Sequence, residues 1–242
     1  MLLDATPLDL AALVWFLIVW LGYGWFADRV PGRAVGLNHY MVTLRQAWME
    51  RMLERDNRIV DSQLVGHTIH GVTFFASTTM LVLAGLIGVF EGLDHIYGVV
   101  TGLSFVVRTS EAFFGAKLLL LIGLFVHGFF KFTWSLWQFT YLLALIGSAP
   151  LAPVPAQRRV RSARVIAEML TQAVASFTAG LRAYYFAFAA LAWFVQPWLF
   201  IASTTGMLAV LINRQVLSPS FKAIASHARH LDADADPPAP KS

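Results

Sequence analysis

Residues 113–146 read FFGAKLLLLIGLFVHGFFKFTWSLWQFTYLLALI, thirty-four positions broken by only two charges, Lys117 and Lys131. The hydrocarbon core of a bilayer is about 30 Å thick and takes about 20 apolar residues in a helix. This stretch is longer, so at 1.5 Å per residue it must tilt strongly or project beyond the membrane. Gly147-Ser148-Ala149-Pro150 ends it, and Pro153 and Pro155 keep the next loop extended.

Three further runs of this kind lie along the chain. The expected crossings are 8–27, 69–90, 113–146 and 183–212, the last with a kink at Pro197. Between them, residues 37–64 and 158–178 alternate apolar and charged positions at helical spacing. They are expected to form two amphipathic helices outside the bilayer. The fold class is therefore an all-α integral membrane protein, with four long transmembrane helices and two amphipathic cytoplasmic helices. A single membrane domain is expected over 1–221. The polar residues 222–242, ending in Asp232-Ala-Asp-Ala-Asp-Pro-Pro-Ala-Pro240, are expected to be an unstructured tail.

Composition agrees. The 242 residues are 57% hydrophobic and 13% charged, about half the usual charged share of a soluble domain. The charges gather in blocks and leave the apolar runs almost clear. The formal net charge of +4 would raise nucleic-acid binding in a soluble protein. Here the arginines flank apolar spans, so lipid headgroups are the expected counterpart and no nucleic-acid partner is expected. The absence of cysteine excludes disulfides and thiolate metal sites. Asp4 and Asp9 stand where a cleavable leader would carry basic residues, so the first apolar run is expected to remain as a helix.

Arginine placement sets the orientation. Arg29, Arg33, Arg45, Arg51, Arg55 and Arg58 lie between the first two crossings, and Arg158, Arg159, Arg161, Arg164 and Arg182 between the last two. The connection between crossings two and three has Arg108 alone, with Lys117 just beyond. Both basic connections are thus expected in the cytoplasm, in a bacterial inner membrane, with both termini outside. The tail conflicts with this, because Arg214, Lys222 and Arg229 would then lie outside. The conflict leaves open that segment four re-enters at Pro197 instead of crossing.

Candidate solute-lining residues follow from helical spacing. His127, Lys131, Ser135 and Gln138 share one face of the third crossing among aromatic neighbours. A lysine near membrane depth must point into protein or water, or snorkel to the surface. On the second crossing His67 and His70 share a face, followed by Ser77. Two histidines are too few for a metal site, so no metal is expected. A shared haem is also unexpected. Counted from Phe90 and Gly115, His70 lies about 30 Å deep and His127 about 18 Å. No cofactor is expected. No carboxylate sits in the middle of a span, which favours anions over cations along any path. Arg51, Glu54, Arg58, Arg158, Arg159 and Arg161 are the candidates for meeting lipid or a partner from the cytoplasmic helices. Phe75-Ala-Ser-Thr-Thr79 and Ile201-Ala-Ser-Thr-Thr205 look alike, a faint sign of duplication.

Asp61–Thr79 (DSQLVGHTIHGVTFFASTT), Phe129–Gln138 (FFKFTWSLWQ) and Gly180–Ala187 (GLRAYYFA) carry a resemblance to a family of membrane proteins, domain of unknown function 599. The resemblance extends over about Asp9 to Phe221. It implies a multipass membrane protein and brings no activity and no catalytic residue. The sequence has no phosphate-binding loop, no His-Glu-x-x-His and no Gly-x-Ser-x-Gly, so no enzyme is expected. The expected function is a homo-oligomeric channel or small-solute transporter biased to anions. The alternative is a non-catalytic accessory or scaffold subunit with a membrane-protein partner.

Overall fold

A computed structural model describes residues 5–29, 37–104, 107, 109–151, 153 and 155–235. Eight α-helices occur among them and no strand. They are α1 (Pro7–Arg29), α2 (Leu37–Glu54), α3 (Ile59–Glu91), α4 (Leu93–Thr101), α5 (Glu111–Ser148), α6 (Ala156–Leu191), α7 (Pro197–Val216) and α8 (Pro219–Ala235). Five helical stretches are long and apolar enough to cross a membrane, beginning at Pro7, Ile59, Glu111, Ala156 and Pro197.

The helix boundaries correct the sequence reading in three places. The amphipathic helix expected over 37–64 stops at Glu54, and residues 59–64 open α3 instead. The break is built locally. Asn57 Oδ1 accepts the Ile59 N–H at 2.9 Å, an Asx turn that starts the new helix. The Arg55 guanidinium grips the buried Asp61 carboxylate at 2.7 and 2.9 Å. Secondly, the amphipathic helix expected over 158–178 does not end there. It runs on as α6 through the first part of the crossing expected over 183–212. That crossing is not one kinked helix. The chain turns at a 3-10 segment, Ala192–Phe194, and restarts at Pro197. Ser203 Oγ donates to the Ala189 carbonyl at 2.9 Å. In a continuous helix these residues would be about 21 Å apart, so α6 and α7 double back as a hairpin. Trp193 stacks on Phe200 across it, with centroids 4.9 Å apart. Proline suits the first position of α7, where no intrahelical partner awaits its missing N–H. Thirdly, residues 222–235 of the expected unstructured tail belong to a helix, α8, which packs on α2. Ala225 and Ala228 are buried, and the Tyr40 and Phe221 rings lie 5.9 Å apart. Residues 236–242 of the tail lie outside the described residues.

The chain forms two compact units. Unit 1 comprises Met1–Arg29, Gly71–Trp134 and Ser176–Val210. Unit 2 comprises Val30–His70, Ser135–Ala175 and Leu211–Ser242. Of the basic residues with described side chains, Lys117, Lys131 and Arg182 belong to unit 1. Arg45, Arg51, Arg55, Arg58, Arg158, Arg159, Arg161, Arg164, Arg214, Lys222 and Arg229 belong to unit 2.

Unit 1 is organised around the contact of α5 with α6. Apolar side chains gain little by leaving lipid, so close backbone approach and van der Waals fit must hold such helices together. Gly128 and Gly180 provide the approach: a Cβ on Gly128 would sit 3.5 Å from Ala183 Cβ, and Gly180 faces the Phe132 ring. Phe132 is fully buried among Phe75, Phe177 and Tyr184, with centroids 5.7–5.8 Å away. Thr79 Oγ1 donates to the Phe75 carbonyl at 2.6 Å, so the Tyr184 hydroxyl 2.7 Å away must be the donor to Thr79. In α7, Thr205 Oγ1 likewise donates to the Ile201 carbonyl at 2.8 Å and accepts from Trp15 Nε1 at 3.1 Å. The two Ala-Ser-Thr-Thr segments thus end in the same packing device, a threonine that ties its own helix turn to an aromatic donor on another helix.

Gly180→Val tests this contact. The new Cβ would fall 2.7–2.8 Å from Phe132 Cδ1 and Cζ, and the surrounding rings leave Phe132 no room to move. Overpacking of this kind costs about 1–3 kcal/mol. The thermal unfolding of detergent-solubilised protein will fall accordingly, whereas Gly85→Val, where a Cβ meets nothing within 4 Å, will leave it unchanged.

Candidate functional site

Three helices of unit 1 enclose a cavity of about 260 Å³. Helix α1 supplies Trp20, Leu21, Gly24 and Trp25, α5 supplies His127 and Lys131, and α6 supplies Ala179, Arg182 and Phe186. Helical geometry explains each set. Positions 127 and 131 are one turn apart on α5, as are 20, 21, 24 and 25 on α1. Positions 179, 182 and 186 recur at three and four on α6. Gly24 and Ala179 are small, and that leaves the space: a Cβ on Gly24 would meet nothing within 4 Å.

The cavity's chemistry is one-sided. Lys131 and Arg182 bring positive charge, and Arg182 is buried at 8% exposure. The His127 ring stands edge-on to Trp20 at 5.5 Å. No Asp or Glu is among the described residues that line it. Such a set can hold an anion with charge-assisted hydrogen bonds beside aromatic and aliphatic walls. The volume lies below the about 300–1,000 Å³ of drug-sized ligand pockets. A small ion or a polar headgroup fits it better than a large solute.

Of the residues that spacing suggested, the structure brings His127 and Lys131 to this cavity and sends the others elsewhere. Ser135 and Gln138 belong to unit 2, where Ser135 is fully buried and its hydroxyl donates to the Ala173 carbonyl at 2.7 Å. The rings of His67 and His70 are exposed and lie 6.5 Å apart in unit 2. Ser77 is exposed on α3. Of the candidates from the expected amphipathic helices, Arg159 pairs with Glu54 at 3.2 Å within unit 2. Arg58 is no surface contact: it donates to the carbonyls of Ala149 and Pro150 at 3.1 and 2.6 Å, just past the C-terminus of α5. Arg51, Arg158 and Arg161 are exposed. Burial lowers the Arg45 guanidinium from its ordinary value, and Arg45 donates to Thr171 Oγ1 at 3.4 Å.

Two groups escaped the sequence reading. Arg182 was counted with the basic connection, although its spacing from Ala179 and Phe186 marks it as part of an inward face. The second is a buried polar set at the other end of unit 1. Asp9 and Lys117 are 2% and 4% exposed. Asp9 Oδ1 accepts from Trp193 Nε1 at 2.9 Å, and Oδ2 accepts from Thr6 Oγ1 at 2.6 Å. Lys117 Nζ donates to the Trp193 carbonyl at 3.0 Å and lies 5.0 Å from the Phe113 ring centroid. Every polar atom here has a protein partner, so this set holds structure together and leaves no room for a ligand.

Residues 11–220 match the family described as "Protein of unknown function, DUF599". No curated protein and no solved structure matches the chain.

Proposed function

The chain belongs to that family of multipass membrane proteins, and we propose that it is a transporter-class protein that binds small anionic groups in the α1–α5–α6 cavity. The observation that carries this reading is the convergence of Lys131, Arg182 and His127 on one small space without an acidic neighbour lining it. Two cations set among apolar helices without an acidic group lining their space are retained where they bind an anion. The cavity lies within one chain, so binding needs no homo-oligomeric pore.

The hairpin at residues 192–196 supports a five-crossing arrangement of α1, α3, α5, α6 and α7. It also removes the charge conflict. With the turn outside, α7 returns to the cytoplasm, and Arg214, Lys222 and Arg229 join the basic connections on the positive side. Our reading is a bacterial inner-membrane protein with its N-terminus outside and its C-terminus in the cytoplasm.

The test is anion flux into liposomes containing the purified protein. Wild-type protein will pass small anions in preference to cations. Losing a charged hydrogen bond weakens binding by about ten- to a hundredfold, so Lys131→Glu will lose the flux and its anion preference with the fold intact. Unchanged flux and selectivity would remove Lys131 from the site.

A further inference from the structure

We infer that the anion held by Lys131 and Arg182 is the phosphate head of an acidic phospholipid, which enters the cavity sideways from the inner leaflet. The inference rests on the anion-site reading above and names its ligand.

The first observation is depth. On α5, Gly128 and Lys131 lie 17 and 20 residues beyond Glu111, about 25 and 30 Å along the helix. Helix α6 gives the same level, because the space beside Gly128 is filled by Ala183, next to Arg182. Helix α1 agrees as well. Asp9 is joined to Trp193, which is joined to Lys117, so these three share a level about 9 Å below Glu111. Counting down α1 from Asp9 then puts Trp20 and Trp25 about 25 and 33 Å below Glu111. The cavity therefore sits one hydrocarbon thickness, about 30 Å, from the outer end of α5. That is the depth of phosphate groups, and it is where tryptophans gather.

The second observation is the lip. Leu21 and Trp25 line the cavity, yet they are 60% and 59% exposed. The α1 wall therefore offers apolar surface outward, and Lys131 and the buried Arg182 line the cavity behind it. A free ion has no use for an exposed apolar lip. An amphiphile does: its acyl chains lie along Leu21 and Trp25 while its phosphate reaches the cations. A space of about 260 Å³ takes the head and leaves the chains outside.

The experiment places the full chain in nanodiscs of phosphatidylcholine doped with phosphatidylglycerol. After gentle delipidation, retained lipid is counted by native mass spectrometry. A parallel arm offers inorganic phosphate to the lipid-loaded nanodiscs and to lipid-free protein in detergent. Gly24→Leu fills the space from a position where a Cβ meets nothing within 4 Å, and Lys131→Gln removes one charge without filling it. The expected result is one phosphatidylglycerol retained per chain, at least about tenfold less in both variants, and unaffected by inorganic phosphate. If Arg161→Gln releases the lipid and the cavity variants do not, the lipid sits on the surface and the inference falls. If inorganic phosphate binds and phosphatidylglycerol shows no preference, the inference falls while the anion site stands. If neither binds, both fall.

Discussion

Asp9→Ala will destabilise the protein by about 1–3 kcal/mol, the cost of leaving the buried Trp193 indole N–H without its acceptor. Asp9 is 2% exposed and Lys117 4%, and both are bonded to Trp193. Without the carboxylate, the Trp193 N–H loses its acceptor at 2.9 Å. The Lys117 ammonium keeps only the Trp193 carbonyl and two aromatic faces, with centroids at 5.0 and 5.4 Å. Lys117→Met will be costly in the same way, because it leaves the buried Trp193 carbonyl without its donor. The double variant Asp9→Leu/Lys117→Met will lose less than the sum of the two single effects, since both side chains act through Trp193. The measurement is a double-mutant cycle on unfolding of the detergent-solubilised protein. Additive single effects would show that the two charges do not act as a unit.

The second large effect is all-or-none. The chain has no cysteine, so single cysteines can report their side of the membrane against a membrane-impermeant maleimide. Ser226→Cys in α8 and Gln157→Cys at the start of α6 will react from the same, cytoplasmic side. His95→Cys in α4 will react from the opposite side. All three positions are exposed. The expectation rests on the Ser203–Ala189 bond, which folds α7 back along α6. A single kinked crossing over 183–212 would place residue 226 with residue 95, and that labelling pattern would overturn the five-crossing arrangement.

The sequence displayed what composition controls. Hydropathy placed α1 and α5 within two residues at each end, but it missed the first ten residues of α3 and merged parts of α6 and α7 into one crossing. The first arginine block marked α2 and its flanks as a connection, whereas the second lies within α6 itself. Both signals are local, so a single chain carries them openly. The hairpin was hidden because its turn, Ala192-Trp-Phe-Val-Gln196, is as apolar as the helices it joins and contains no glycine. Gln196-Pro197 was the available signal, and Pro197 was read as a kink when it begins a helix. The candidate site was half legible for a related reason. Spacing showed that His127 and Lys131 share a face of α5. It could not show that this face meets Trp20 and Gly24 of α1 and Arg182 of α6. That pairing is set by close fits such as Gly180 on Phe132, which have no period along the chain. The same spacing therefore also nominated Ser135 and Gln138, which turned out to belong elsewhere.

The buried set of Asp9, Lys117 and Trp193 also has a consequence for biosynthesis. Asp9 precedes its indole partner by 184 residues, and Lys117 precedes its carbonyl partner by 76. A ribosome adds about 5–20 residues per second, so the nascent carboxylate waits for roughly ten to forty seconds. Until Trp193 emerges, the first and third apolar helices each carry an unmatched charge beside lipid. Any chain that stops short of Trp193 keeps that defect permanently. Completion of the fourth apolar helix is thus recorded chemically at the opposite end of the polypeptide, where a membrane protease could distinguish a finished molecule from a truncated one.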